Sequence, residues 1–225
     1  LRFGIALLGL RITFEQVINL GIDTVALLIG GLVLTIIAGI GASKITGRGI
    51  RFGILTGSSV AICGASAALA ISAILPKSAN GERDTIFTVI AVTSFSTIAM
   101  VLYPIIATFM GLEDELSGIF LGGTIHDVAQ VVGAGYTVSD EAGDIATITK
   151  LFRVAMLVPV AIVLSIVFHG ENKSTGRAPL PFFIVGFCAM VALNSSGIVP
   201  NFIHKLLIDV SQWCLVTAIA ALGIK

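Results

Sequence analysis

The chain has 225 residues, of which 56% are hydrophobic and 12% are charged, with a mean hydropathy of +1.05 and a formal net charge of zero. Because a soluble domain typically carries about 25% charged residues, this composition excludes a water-soluble fold and predicts a polytopic membrane protein surrounded by the lipid bilayer. The neutral charge argues against nucleic acid as a partner.

Eight apolar segments fit, wholly or in part, the length of about 20 residues that a helix needs to cross a bilayer. In chain order they cover residues 1–13, 22–42, 52–76, 85–110, 116–135, 145–168, 180–194 and 203–224. The sequence lacks an initial Met, and it begins and stops on apolar stretches. We therefore expect one transmembrane domain, 1–225, that is truncated at both ends.

Lysine and arginine residues in the loops predict the orientation, since they are enriched on the cytoplasmic side. If all eight segments cross, the larger basic set lies at one face: Lys44, Arg48, Arg51, Lys173, Arg177 and Lys225. The other face carries Lys77 and Arg83, together with Arg11 and Lys205. The first face is then expected to be cytoplasmic, and one re-entrant segment would reverse everything after it.

The third and fifth segments are interrupted by small and hydroxyl residues, in GILTGSSVAICGASAALA (53–70) and GIFLGGTIHDVAQVVGAG (118–135). Gly, Ser and Thr allow a helix to unwind at membrane depth. We therefore expect residues 57–66 and 122–127 to be non-helical near the midplane. The simpler alternative is that these small residues only permit close helix packing.

An unwound helix is a candidate anion site, because the N–H groups that begin its second half carry the positive pole of the helix dipole. Transporters commonly build substrate sites this way, and ionisable groups at this depth usually face a cavity. The substrate-binding residues expected from the two segments are Ser58, Ser59, Cys63, Gly64, Ala65, Ser66, Thr124, His126, Asp127 and Gln130. For His126, a core position satisfied by a neighbour is the alternative.

The sixth segment adds two cations, Lys150 and Arg153, which lie three residues apart on one helical face in ITKLFRVAMLVP. We expect them to face the same cavity, where they would attract an anion or pair with Asp127. The alternative is that both side chains extend to the nearer interface. Two fixed cations argue against a metal site, and Pro159 is expected to kink the helix.

Catalysis has little support in the sequence. Cys63 and His126 could form a thiolate–imidazole pair, but no H-E-x-x-H or G-x-S-x-G motif supports an enzyme, and no cofactor motif is present. The three cysteines form no metal-type pair and predict no disulfide framework. A passive channel is a second alternative, although neither a filter loop nor a ring of like charge can be recognised.

Four sequence blocks occur in the order LRFGIALLGLRITF, GSSVAICGASAALA, GGTIHDVAQVVGAGY and KLFRVAMLVP. Together they resemble the YeiH-type family of bacterial inner-membrane proteins, whose members are often labelled sulfate exporters. The resemblance covers essentially the whole chain. This chain differs from the family pattern at Asp127, where members usually have Glu. The resemblance implies a longer protein of ten or eleven spans, similar to bile-acid and sodium symporter folds with crossed, broken helices.

The resulting expectation is an all-α transmembrane bundle with two discontinuous helices, multi-pass in the bacterial inner membrane. It would act as a secondary transporter of a small, sulfate-like anion. The sequence does not separate sulfate from sulfonates or carboxylates. H⁺ and Na⁺ are both candidate coupling ions, and a homo-oligomer is a candidate assembly.

Overall fold

The computed structural model describes residues 20–168, 182–197 and 206–210, together with Leu7, Leu10, Glu15, Pro200, Trp213, Cys214 and Thr217. These ranges contain α-helices and no strand. The helices are α1 Ile22–Ile45, α2 Ile50–Ala61, α3 Ala65–Ser72, α4 Gly81–Phe109, α5 Asp114–Thr124, α6 Val128–Val138, α7 Asp140–Ala155, α8 Leu157–Val167 and α9 Phe182–Ser195. The expectation of an all-α membrane fold is confirmed.

Several predictions fall outside the described residues. They are the span at 1–13 apart from Leu7 and Leu10, most of the span at 203–224, and the basic residues Arg11, Lys173, Arg177, Lys205 and Lys225.

Three stretches are long and apolar enough to cross a membrane within the described ranges: α1, α4, and α7 continued by α8. The last of these, Asp140–Val167, is interrupted at Met156, three residues before Pro159. Since proline supplies no amide hydrogen and its ring crowds the preceding turn, an interruption at this place is expected. The remaining helices before α9 have 8 to 12 residues, too short to cross alone.

Helices α2 and α3 form a re-entrant hairpin, called hairpin 1. Just before α2, Arg48 forms an ion pair of 2.8 Å with Asp84, and in the first turn of α2 the Phe52 ring lies 6.1 Å from that of Phe87. At the break, a Cβ built on Gly64 would lie 2.8 Å from Val92, whereas Ala68 and Leu69 of α3 pack on Val89. The contacts of hairpin 1 thus move along α4 from Asp84 to Val92 and then back to Val89. The chain therefore reverses at Ile62–Gly64, called tip 1.

Helices α5 and α6 form hairpin 2 in the same way. Along α5, Cβ atoms built on Gly118 and Gly122 would lie 2.7 Å from the Cβ atoms of Ile145 and Thr149, so α5 runs parallel to α7. On α6, a Cβ on Gly135 would lie 2.8 Å from the Cα of Gly143, back near the start of α7. The reversal occurs at Ile125–Asp127, called tip 2. Glycines along both arms permit this close packing.

The two hairpins enter the membrane domain from opposite ends. Hairpin 1 opens beside the first turns of α4, whereas hairpin 2 opens beside its last turns, where the Tyr103 and Phe120 rings are 5.4 Å apart. Tip 1 meets α4 at Val92 and tip 2 meets it at Ser96, near the middle of Gly81–Phe109. Together, α1 with hairpin 1 and α4 with hairpin 2 form two inverted units.

This arrangement corrects the predicted crossings. The third and fifth segments do not run from face to face, and the prediction that Arg83 lies opposite Arg48 and Arg51 is wrong. Asp84 binds Arg48, and the Arg51 guanidinium lies 2.9 Å from a Cβ built on Gly81. Apolar length alone suggested full spans, because each hairpin contains as many residues as one crossing.

Candidate functional site

The two breaks in the helices lie side by side at the centre of the domain. Both breaks are shorter than the predicted non-helical segments, 57–66 and 122–127, because α2 continues to Ala61 and α5 continues to Thr124. Gly64 has φ +70°, a left-handed conformation that favours glycine. A Cβ added there would also lie 3.3 Å from the Cβ of His126. Gly64 therefore permits both the reversal of tip 1 and the contact with tip 2.

Lys150 joins the two tips through its ammonium group. Nζ donates to the carbonyl of Ile62 in tip 1 at 2.8 Å and to that of Ile125 in tip 2 at 3.0 Å. The side chain is 0% exposed. Extension of Lys150 to the membrane interface is thus contradicted, and the residue belongs to the centre.

Arg153 makes the same connection one turn later. Nε donates to the carbonyl of Ala61 at 3.0 Å, and Nη2 donates to those of Val60 and Ala61 at 2.9 and 2.6 Å. Nη1 donates to the carbonyls of Gly123 and Gly122 at 2.5 and 3.4 Å. With 6% exposure, this guanidinium holds the last carbonyls of α2 and α5 together.

These contacts explain why two cations lie inside an apolar bundle. Helices α2 and α5 end at the centre with carbonyls that lack intrahelical partners, and each end carries the negative pole of its helix. Lys150 and Arg153 satisfy these carbonyls with charged donors. The predicted pairing with Asp127 is not seen, since the described hydrogen bonds of both cations go to backbone carbonyls.

Asp127 caps the amide end of tip 2. Its carboxylate accepts from the amides of Ala129 at 2.9 Å and Gln130 at 3.3 Å, which begin α6. A carboxylate at this position stabilises the positive pole of the helix. The N-terminus of α6 therefore already holds an anionic group supplied by the chain.

Ser96, on α4, is a site residue that sequence reasoning missed. Its hydroxyl accepts from the amides of His126 at 3.1 Å and Asp127 at 3.2 Å and donates to Oε1 of Gln130. Nε2 of Gln130 donates in turn to Thr97 at 3.1 Å. A serine among apolar residues of a span gives little signal by itself, because such hydroxyls usually bond to their own helix.

Replacing Ser96 with Ala should destabilise the protein by about 1–3 kcal/mol, because two partly buried amides lose their acceptor. The free energy of unfolding in detergent would measure this. Thr93→Ala is the matched control on the same helix, since the Thr93 hydroxyl bonds only to the Val89 carbonyl among the described contacts. Equal stability of the two variants would contradict the assigned role of Ser96.

Tip 1 lacks an equivalent of Asp127 in the part of the chain that the structure describes. Gly64 precedes α3 and provides no side-chain cap, and the first bond of the helix runs from the Ala68 amide to the Gly64 carbonyl at 2.9 Å. The backbone of Ala65 and Ser66 is at the start of α3, and both residues are half-buried. This helix start keeps its positive pole without a carboxylate on it.

The other predicted residues divide into two groups. The hydroxyls of Ser59 and Thr124 bond to carbonyls of their own helices, Leu55 and Phe120, at 2.5 Å each. Ser58 Oγ and His126 Nδ1 are buried without a hydrogen-bond partner, as is Oγ1 of Thr149, which the sequence did not suggest. Cys63 is 6% exposed beside this centre.

Two further features concern ligands. A cavity of about 480 Å³ lies between α1 and α5, lined by apolar residues and reaching Gly123, Thr124 and Arg153. Within the described ranges, no three His, Cys, Asp or Glu side chains come together as a metal site would require.

Comparison with known proteins places the chain in a family. Residues 1–225 match, over their whole length, the family described as "Conserved hypothetical protein 698". The chain belongs to this family. The match agrees with the resemblance to YeiH-type proteins seen in the sequence.

Relatives in the same family are described as membrane proteins. The chain is 56% identical over 229 residues to UPF0324 membrane protein CT0845 of Chlorobaculum tepidum and 52% identical over 230 residues to UPF0324 membrane protein TauZ of Paracoccus denitrificans. It is 50% identical to UPF0324 membrane protein RB0971 of Rhizobium meliloti. These matches cover 100% of the chain but 64%, 68% and 67% of the relatives. No solved structure matches it.

Proposed function

We propose that this protein is a secondary transporter that moves a small, sulfate-like anion across the bacterial inner membrane. The observation that carries the proposal is the charge at the two tips. Two buried cations, Lys150 and Arg153, lie there, and the one carboxylate of the two tips, that of Asp127, bonds to the α6 amides instead of to either cation. An anion would balance the remaining positive charge, and unpaired charge is costly at this depth.

The helix ends supply donors for such an anion. Half-helix N-termini near the midplane recognise anionic substrates in other transporters. Because Asp127 occupies the start of α6, the start of α3 at Ala65 and Ser66 is the open position. Lys150 and His126 lie next to it, through the Ile62 carbonyl and the contact with Gly64 respectively. We propose that the substrate binds here.

The inverted hairpins favour transport over a channel. Two re-entrant hairpins from opposite ends can open in turn, which gives alternating access to one central site. Their tips are packed together through Gly64 and His126 rather than apart. A passive anion channel is the second candidate, and a continuous open current through the purified protein would favour it. An intramembrane enzyme using Cys63 and His126 is the least supported.

A flux screen tests the proposal directly. The full-length protein would be reconstituted in proteoliposomes and offered labelled sulfate, thiosulfate, sulfonates and dicarboxylates, with H⁺ and Na⁺ gradients applied separately. Uptake that saturates and responds to one gradient supports coupled transport. Absence of flux above empty liposomes for every anion would contradict the transport function.

We expect His126 to determine the pH dependence of transport. Because an imidazole can bind a proton whereas a glutamine amide cannot, a His126 that takes part in coupling or anion binding makes flux depend on pH. His126→Gln keeps a hydrogen-bonding side chain and should flatten this profile. A parent-like profile in a correctly inserted variant would make His126 structural. Thr93→Ala, which removes a hydroxyl that bonds to its own helix, is the control.

A further inference from the structure

The two ends of the membrane domain carry opposite charge among the described residues. The end where hairpin 1 opens, called the basic end, carries Lys44, Arg48, Arg51, Lys77 and Arg83, with Glu82 and Asp84 as its acidic residues. The end where hairpin 2 opens, called the acidic end, carries Asp23, Glu113, Asp114, Glu115, Asp140, Glu141 and Asp144. No lysine or arginine of the described ranges lies at the acidic end.

This distribution is visible only after the reversal of the hairpins is taken into account. When the third segment is treated as a crossing, Lys77 and Arg83 fall on the face opposite Lys44, and the asymmetry disappears. The ion pair of Arg48 with Asp84 returns them to one end. Because lysine and arginine concentrate on the cytoplasmic side of membrane proteins, the basic end is assigned to the cytoplasm.

We infer that the basic end is the cytoplasmic face and concentrates the anion for capture at the tips, while the acidic end repels it. The inference rests on the proposed transport function and adds the side from which the anion binds more readily. Fixed charges on one face of a protein raise the local concentration and association rate of an oppositely charged solute, and salt weakens the effect. The anion would then half-saturate the protein at lower concentration from the basic end.

The position of the open helix start agrees with this assignment. Ala65 and Ser66 belong to hairpin 1, whose arms open toward the basic end. Asp127, the carboxylate at the centre, belongs to hairpin 2, which opens toward the acidic end. The charges do not fix the direction of net flux, which follows the gradients of the anion and its coupling ion. The charges set the anion concentration that half-saturates the protein from each side.

The orientation is tested by thiol labelling in intact cells. In a background with Cys188→Ser and Cys214→Ser, which keeps the buried Cys63, one exposed cysteine is introduced at either end in separate variants, as Ser78→Cys and Glu113→Cys. A membrane-impermeant maleimide should label Glu113→Cys directly and Ser78→Cys only after permeabilisation. The reverse pattern would overturn the inference.

The asymmetry of capture is tested with labelled sulfate in right-side-out and inside-out membrane vesicles that contain the full-length protein. At low salt, the half-saturating concentration should be lower at the basic end by about three- to tenfold. Neutralising three exposed cations, in Lys44→Gln/Lys77→Gln/Arg83→Gln, should remove most of this difference. The matched acidic-end variant, Glu113→Gln/Glu115→Gln/Glu141→Gln, should instead improve binding from its own side.

Each outcome has a defined meaning. Equal half-saturating concentrations at both ends, or a difference that survives both triple variants and high salt, would overturn the inference while leaving the transport function intact. Absence of sulfate flux in both vesicle types would contradict sulfate transport. It would therefore also contradict the inference that the basic end concentrates the anion. Lower half-saturation at the basic end, abolished by the basic-end variant alone, supports the inference.

Discussion

Replacing Arg153 with Gln is expected to destabilise the protein by at least about 3 kcal/mol, the largest stability loss of any single change considered. The guanidinium bonds to carbonyls of both hairpins, at Val60 and Ala61 and at Gly122 and Gly123. A glutamine amide is shorter and has two donor hydrogens, so it leaves buried carbonyls of at least one hairpin without a donor.

The free energy of unfolding in mixed micelles, followed by a change in helical signal, measures this effect. Arg153→Lys should recover little, because one ammonium lacks the planar fork that reaches both helix ends. Arg83→Gln, an exposed arginine at the basic end, is the control and should change stability by no more than about 0.5 kcal/mol. If Arg153→Gln matched that control, the connection of the two hairpins through α7 would be wrong.

Replacing Lys150 with Met should weaken sulfate binding by about 2–5 kcal/mol, or roughly 30-fold or more, because it removes one of two cations at the centre. Methionine keeps a similar length and removes the charge. Since Lys150 is 0% exposed, the loss should persist at high salt, unlike that of an exposed cation. Sulfate binding to the purified protein at two salt concentrations provides the measurement.

Lys44→Met is the matched control, because Lys44 is exposed at the end of α1. Its effect on sulfate binding should be small and should vanish in salt. Unchanged binding by a correctly folded Lys150→Met protein would assign Lys150 to the hairpin contacts alone. Measuring unfolding of the same sample separates the two roles, since loss of the bonds to Ile62 and Ile125 also lowers stability.

The sequence predicted the centre of the molecule better than its path through the membrane. The breaks were recognisable because clusters of small and hydroxyl residues in both segments, and the polar His126–Asp127 pair in the second, are atypical of an uninterrupted apolar helix. Lys150 and Arg153 were recognisable for the same reason. Their partners were not, because backbone carbonyls have no sequence signature, and an acidic partner at Asp127 was the natural expectation.

The reversal at each tip could not be read from composition. A hairpin of two half-helices and a broken span have the same length and hydropathy, and they differ only in which neighbours each half contacts. Those contacts depend on glycines such as Gly118 and Gly135, whose role against α7 appears only in three dimensions. Ser96 was missed because its partners lie about 30 residues away in hairpin 2.

The dependence of hairpin 1 on Arg153 has a consequence for biosynthesis. The carbonyl of Ala61 and its guanidinium partner are 92 residues apart in sequence, so a ribosome adding about 5–20 residues per second makes the donor roughly 5–18 s after the acceptor. During that interval the nascent hairpin has unsatisfied carbonyls that lipid cannot satisfy. It must remain near water or the insertion machinery, and it can settle at its final depth only once α7 has emerged.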